Sequence, residues 1–408
     1  MMLKLNAMHG MRKMEEWKEY KLGELCDTIS ETYKKKSKEV VLINTSDVLE
    51  GKCLNHTKVA NEKLKGQFKK TFQYNDILYS EIRPANKRFA FVDFDATDYI
   101  ASTKLMVLRH NDKITPQYLY YILKSQNVIE ELQMLAESRS GTFPQITFSE
   151  LSNLKVWLPN KKTQNKIISI LSSLDDKIEV NRRINEQLEE LAQALFKSWF
   201  VDFEPFKDGE FVESELGMIP EGWKVGNLLD VAELFDSLRK PLSGREREAM
   251  EKIYPYHGAT SIMDYVDNYI FDGIYLLMGE DGSVVNDKGY PYLQYVWGKF
   301  WPNNHAHVMQ GKNGYTTEML HALLSITNVK AVVTGAVQPK ISQAGMRKIP
   351  VILAPKNLLE TFAEKLVPIY DKIRANSNEI THLTNLRDTL LPKLMSGEID
   401  VEQFNVIE

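Results

Sequence analysis

The chain has 408 residues, of which 43% are hydrophobic, 10% aromatic and 26% charged, and that length favours two or three cores over one. Its only cysteines, Cys26 and Cys53, lack paired spacing, which excludes a disulfide framework and a cysteine-ligated zinc site and points to a reducing, cytoplasmic compartment. Charges break up every apolar run of about 20 residues, so no membrane-spanning helix is expected, and a net charge of −4 leaves room for nucleic acid only at a locally basic face.

Residues 1–14 carry Lys4, Arg12 and Lys13 without an apolar core or cleavage site, and read as a disordered tail. Basic residues then gather in the first third: Lys34, Lys35, Lys36 and Lys38, next Lys63, Lys65, Lys69 and Lys70, and finally Arg83, Lys87 and Arg88. Acids concentrate instead at Glu179, Glu186, Glu189 and Glu190, a partition that suits a basic face on an acidic scaffold. Residues 77–79, 88–92 and 104–108 predict strands, and 116–125 and 128–136 predict helices. In the second half 269–270, 274–278 and 307–309 predict strands, followed by a helix over 317–326.

The halves repeat one another. Trp17 and Trp223 open similar runs 206 positions apart, while Pro144 with Ile146 answers Pro339 with Ile341 at an offset of 195. The second copy has therefore lost about a dozen residues between fixed anchors. After each anchor comes an apolar stripe at three- and four-residue steps. The first runs through Ile167, Leu171, Leu174, Ile178, Leu188, Leu191 and Leu195; the second through Phe362, Leu366, Ile369, Ile373, Leu383, Leu386 and Leu390, each displaced by 195. Both stripes predict long amphipathic helices of roughly 45 to 50 Å. Asn181 and Asn376 occupy matched seam positions, where their expected role is to pair with each other and fix the register. Pro368 interrupts the second stripe and predicts a bend or a later start.

These elements predict an α+β fold: two globular α+β domains, separated by two long antiparallel coiled-coil-like helices, as a pseudo-two-fold internal repeat. The expected segments are a tail over 1–14, domains over 15–158 and 206–353, and helical spacers over 159–205 and 354–408.

Catalytic signals are weak. His305 and His307 with Glu280 and Asp281 contain the residue types of a metal site, but alternating histidines on one strand are more often structural, and no metal is expected. Asp76 with Glu81 and Arg83 offers a faint nuclease-like carboxylate cluster without the lysine such sites usually carry. The chain has no phosphate loop of the GxxxxGK[ST] type and no Asn-Pro-Pro-aromatic segment.

The run Asn75-Asp76-Ile77-Leu78-Tyr79-Ser80-Glu81-Ile82-Arg83-Pro84 resembles a motif of the target recognition domains of type I restriction-modification specificity subunits. Tyr254–Thr260, Gly279–Gly282, Gly298–Trp301 and Asn303–Val308 resemble a second copy. Leu174–Ile178 and Leu386–Ile399 are similar to that family's two central helical regions. The resemblance implies a non-catalytic subunit in which each domain reads one half of a bipartite double-stranded DNA target. It also implies methyltransferase subunits docked on the chain and a restriction/translocase subunit joining them. S-adenosylmethionine, ATP and magnesium would belong to those partners, and this chain would hold no cofactor. The residue types that reach base edges suggest Arg83, Asn86, Lys87, Arg88, Arg139 and Thr142 in the first domain. In the second they suggest His257, Thr260, Asn303, Asn304, Gln338 and Lys340. A self-contained nuclease and a binder of some other polymer remain as alternatives.

Overall fold

The computed structural model describes residues 17–35, 37–62, 66–138, 144–335 and 337–401. The proposed tail over 1–14, together with Lys36, Lys63, Lys65, Arg139 and Thr142, lies outside them. The described residues up to Ile178 and from Thr381 onward form one compact unit; Glu179–Ile380 forms the other.

In the first unit, Lys18–Lys21 pairs antiparallel with Lys155–Leu158, closing the start of the domain onto its end. One four-stranded sheet has the order Cys26–Ile29, Leu105–His110, Ile77–Ser80, Phe89–Phe91; the other has Lys58–Ala60, Glu39–Ile43, Tyr99–Ser102, Phe68–Lys70. The second unit repeats this connection by connection. Lys224–Asn227 pairs with Pro350–Leu353, one sheet runs Ala232–Leu234, Ala306–Gly311, Tyr275–Gly279, Leu293–Val296, and the other Ile262–Val266, Tyr254–His257, Lys299–Pro302, Phe271–Asp272. Each copy carries a parallel strand pairing at the same place, Glu39–Ile43 beside Tyr99–Ser102 and Tyr254–His257 beside Lys299–Pro302.

The strand Ile77–Ser80 is buried on both faces, which is why it reads as an unbroken apolar run. With a side-chain period of two, Ile77 and Tyr79 enter the larger core with the helices while Leu78 enters a core between the two sheets. Leu276, Leu277 and Met278 divide the same way. The strand expected at 269–270 begins instead at Phe271.

Two 40-residue helices, Lys161–Phe200 and Lys356–Met395, are each about 60 Å long, more than the stripe alone suggested. The second runs through Pro368 without interruption; its neighbours' packing outweighs the one lost backbone bond. It ends where Gly397 adopts φ +74°, with the Trp17 ring 3.3 Å from where a Cβ would stand. Leu191 and Leu386, assigned to the seam, are exposed in both repeats; burial passes to Ala192, Phe196 and Phe200 in the first helix and to Leu391 and Leu394 in the second.

Within the second unit the helices run antiparallel. Asn181 Nδ2 donates to Glu379 Oε2 at 2.8 Å, and Asn376 Nδ2 donates to Asn185 Oδ1 at 2.9 Å. The expected contact between Asn181 and Asn376 is therefore not made. Equivalent positions on antiparallel helices meet only at the centre of the pair, and these two miss one another by about one turn. Asn376→Leu is expected to leave Asn185 short of its donor at a cost of about 1–3 kcal/mol, with part of the loss recovered in Asn185→Leu/Asn376→Leu. A double-mutant cycle by chemical denaturation measures this, and zero coupling would refute the bond's contribution.

Candidate nucleic-acid interface

Each unit builds one loop pair by the same backbone scheme. In the first, the chain leaves Ile77–Ser80 at Glu81, whose amide donates to the Lys104 carbonyl at 3.1 Å and whose carbonyl accepts from Ile146 at 2.9 Å; the Arg83 amide donates to Pro144 at 3.1 Å. In the second, the Glu280 amide donates to His305 at 2.8 Å, its carbonyl accepts from Ile341 at 2.9 Å, and the Gly282 amide donates to Pro339 at 3.0 Å. The proline and isoleucine anchors of the sequence repeat are thus the fasteners of these loops. Glu81, Ile82 and Arg83 correspond to Glu280, Asp281 and Gly282, and Lys104 corresponds to His305.

The first loop is strained. Arg83 and Lys87 both take positive φ, 44° and 52°, on either side of the turn Pro84–Asn86, a conformation that costs of order 1–3 kcal/mol per residue. It leaves the Arg83 and Asn86 side chains exposed, with no hydrogen bond or ion pair to a described residue. Lys87 lies 3.7 Å from Glu50. Arg88 turns back to donate to the carbonyls of Ser46 and Val48 at 3.1 and 3.4 Å, bracing the neighbouring segment.

In the second unit, the hairpin from Thr334 to Lys340, closed by reciprocal backbone bonds of 2.9 and 2.7 Å, carries Gln338 exposed beside Val337, which is 99% exposed. Thr260 and Asn304 are exposed as well. Lys340 reaches Glu280 at 3.1 Å. His257 and Asn303, named as candidate readers, are buried: the His257 ring contacts Gln294 at 2.9 Å, and Asn303 Oδ1 accepts from the His305 amide at 2.8 Å. Both act behind the surface, holding the turn that presents Asn304 and His305.

Beneath this surface lies a charged network that the sequence did not reveal, because its members come from four separate segments. His307, 1% exposed, places Nδ1 2.6 Å from Asp236 and Nε2 2.8 Å from the Ile341 carbonyl. Both neighbours are acceptors, so both ring nitrogens donate. Asp236 also accepts from the Val308 amide and from Gln343, and Arg239 bonds Glu280 at 2.7 Å. Burial would raise both carboxyls, yet the bonds from His307 and Arg239 hold Asp236 and Glu280 below their ordinary range. Asp236, Glu280 and His307 stand close enough together to suggest a metal site. In this arrangement both ring nitrogens are engaged, Asp236 is held by His307, Val308 and Gln343, and Glu280 by Arg239 and Lys340, which is the bonding of a structural network.

The nuclease-like cluster is not assembled either. Asp76 and Glu81 flank opposite ends of one strand, so they stand roughly 15 Å apart along it. Asp76 forms a two-pronged ion pair with Arg109 at 2.8 and 2.7 Å, and Glu81 faces Lys104 at 3.8 Å. No helix among the described residues is long and apolar enough to cross a membrane.

A family model described as the type I restriction modification DNA specificity domain matches residues 14–190 and again 220–385. The type I restriction enzyme HindI specificity subunit of Haemophilus influenzae is 33% identical, over 95% of this chain and 100% of that one. The MjaIX specificity subunit of Methanocaldococcus jannaschii is 30% identical, over 72% and 71% respectively. Among solved structures, the S subunit of a type I restriction-modification system from M. genitalium is similar in fold, with a TM-score of 0.53 at 18% identity over 93% of this chain and 96% of that one.

Proposed function

Because the chain belongs to the family of type I restriction-modification specificity subunits, we propose that it reads a bipartite, asymmetric double-stranded DNA target, one half-site for each unit, and catalyses no reaction itself. The observation that carries this reading is the pair of equivalent loops with unlike side chains. A shared backbone scheme delivers Arg83 and Lys104 in one unit but Gly282 and His305 in the other, and unlike donors select unlike bases. Segments 15–158 and 206–353 act as the recognition domains, with 159–205 and 354–408 as helical spacers that set the unread gap.

Arg83 and Asn86 in the first domain, and Thr260, Asn304, Gln338 and Lys340 in the second, are the exposed readers. Lys87 and Arg88 support the first loop, and Arg139 and Thr142 stay candidates on their residue types. The exposed Lys34, Lys35, Lys38 and Lys69 supply phosphate contacts. Methyltransferase subunits bind the scaffold and a restriction subunit joins them. S-adenosylmethionine, ATP and magnesium act on those partners, in the cytoplasm.

Methylome sequencing of a host expressing this chain with its methyltransferase should reveal one two-part motif with unlike halves; a single symmetric motif, or none, would sink the proposal. Arg83→Ala should relax selection at one base pair of one half-site by about 1–3 kcal/mol, leaving the other half intact. Affinity for the target should fall steeply with salt. A salt-independent affinity would instead favour another polymer as ligand.

A further inference from the structure

His305 stands at the edge of the second unit's loop pair with 45% of its side chain exposed. Its Nδ1 hydrogen-bonds the Asp281 carboxylate, and a carboxylate only accepts, so Nδ1 carries the proton and Nε2 is the free nitrogen. Four hydrogen bonds in series hold the turn that carries the ring. Asn303 Oδ1 holds the His305 amide, the His257 carbonyl holds the Asn303 amide at 2.9 Å, and Gln294 ties His257 to the Gly258 carbonyl. Beside Asp281, Gly282 adopts φ +82° with no described atom within 4 Å of where a Cβ would stand. In the first unit the equivalent positions hold Lys104 and Ile82, and neither an imidazole nor a carboxylate to orient one is present there.

Resting on the DNA-reading function proposed above, we infer that His305, oriented by Asp281, reads one base in the second unit's half-site. With Nδ1 donating to Asp281, Nε2 is the nitrogen left to accept, which suits an exocyclic amine: N6 of adenine or N4 of cytosine in the major groove. His305 is the reader and Asp281 its positioning residue. The first unit, lacking the couple, must select its half-site by other groups, which gives the target its asymmetry a definite chemical source.

The test is the methylome of a host co-expressing the methyltransferase with the wild-type chain, His305→Ala or Asp281→Ala. His305→Ala should let all four bases through at one position of one half-site, with discrimination there falling roughly ten-fold or more, while the other half-site stays sharp. Asp281→Ala should blur the same position to a smaller extent and no other, which a general loss of stability would not do. An unchanged motif in both variants overturns the inference, as does uniform weakening at every position, the signature of a phosphate contact. Should His305→Ala abolish methylation altogether, Asp281→Ala decides alone: blurring at one position supports the couple, and an unchanged motif refutes it. A wild-type chain that yields no two-part motif defeats the underlying DNA-reading function instead, and is told apart by that control.

Discussion

Asp236→Asn is expected to destabilise the second unit by about 3–5 kcal/mol, the usual cost of removing one partner from a buried ion pair. Asp236 is the only carboxylate within 3 Å of the buried His307 Nδ1 among the described residues, and removing its charge leaves Glu280, at 3.7 Å, as the nearest carboxylate to that nitrogen. The sign of the pH dependence follows from the same groups. Asp236 and Glu280 titrate below their ordinary range in the folded unit, so their stabilisation is complete above the unfolded carboxylate values of about 4. It is lost as pH falls through the still lower folded values. Chemical denaturation between pH 3 and 7 should therefore show a wild-type acid limb that Asp236→Asn flattens. A variant within about 1 kcal/mol of wild type at neutral pH would contradict the network's role. Because the network includes Glu280, which holds Lys340, the functional loss should fall on one half-site first.

Much of this molecule was legible in its residues because repetition supplies its own control. The anchors Pro144 and Pro339, and Ile146 and Ile341, were visible as a repeat, and they turn out to fasten equivalent loops. The long helices were legible because period 3.6 persists through several turns. Side-chain partners were not. Nothing local marks Asn185 as the partner of Asn376, because which residue faces which on an antiparallel pair depends on register, and register is set by packing along the entire seam. His257 and Asn303 belong to residue types that read bases, yet the same hydrogen-bonding capacity lets them brace a turn from within. Asp236 and Arg239 carry no local signal at all. They lie about 70 residues from His307 in sequence, and only the sheet Ala232–Leu234, Ala306–Gly311, Tyr275–Gly279 brings them together.

Asp175→Asn should cost the first unit a comparable 3–5 kcal/mol, and it bears on how two similar helical seams coexist in one chain. Asp175 accepts from Tyr121 at 2.9 Å, from Lys124 at 2.8 Å and from Arg387 at 2.8 Å, so it joins both long helices to the short helix Pro116–Lys124. Burial alone would raise its pKa, but Lys124 and Arg387 hold it below the ordinary range. The second unit makes its own tie at different positions and with the charges the other way round: Arg374 on the long helix lies 3.3 Å from Glu318 on the short helix Thr317–Ser325. A short helix docked on the other repeat's seam would set Lys124 against Tyr370, the counterpart of Asp175, or Glu318 against Glu179, the counterpart of Arg374, and a stranded buried charge or a like-charged pair costs several kcal/mol. Charged ties at unlike positions thus give each short helix one correct berth between two nearly identical apolar stripes. Asp175→Asn/Lys124→Met should recover most of the lost stability by removing the stranded ammonium, yet fold with more mispaired product than wild type. If refolding from denaturant gave equal native yields for the wild type and the double variant, polarity would have no part in choosing the berth.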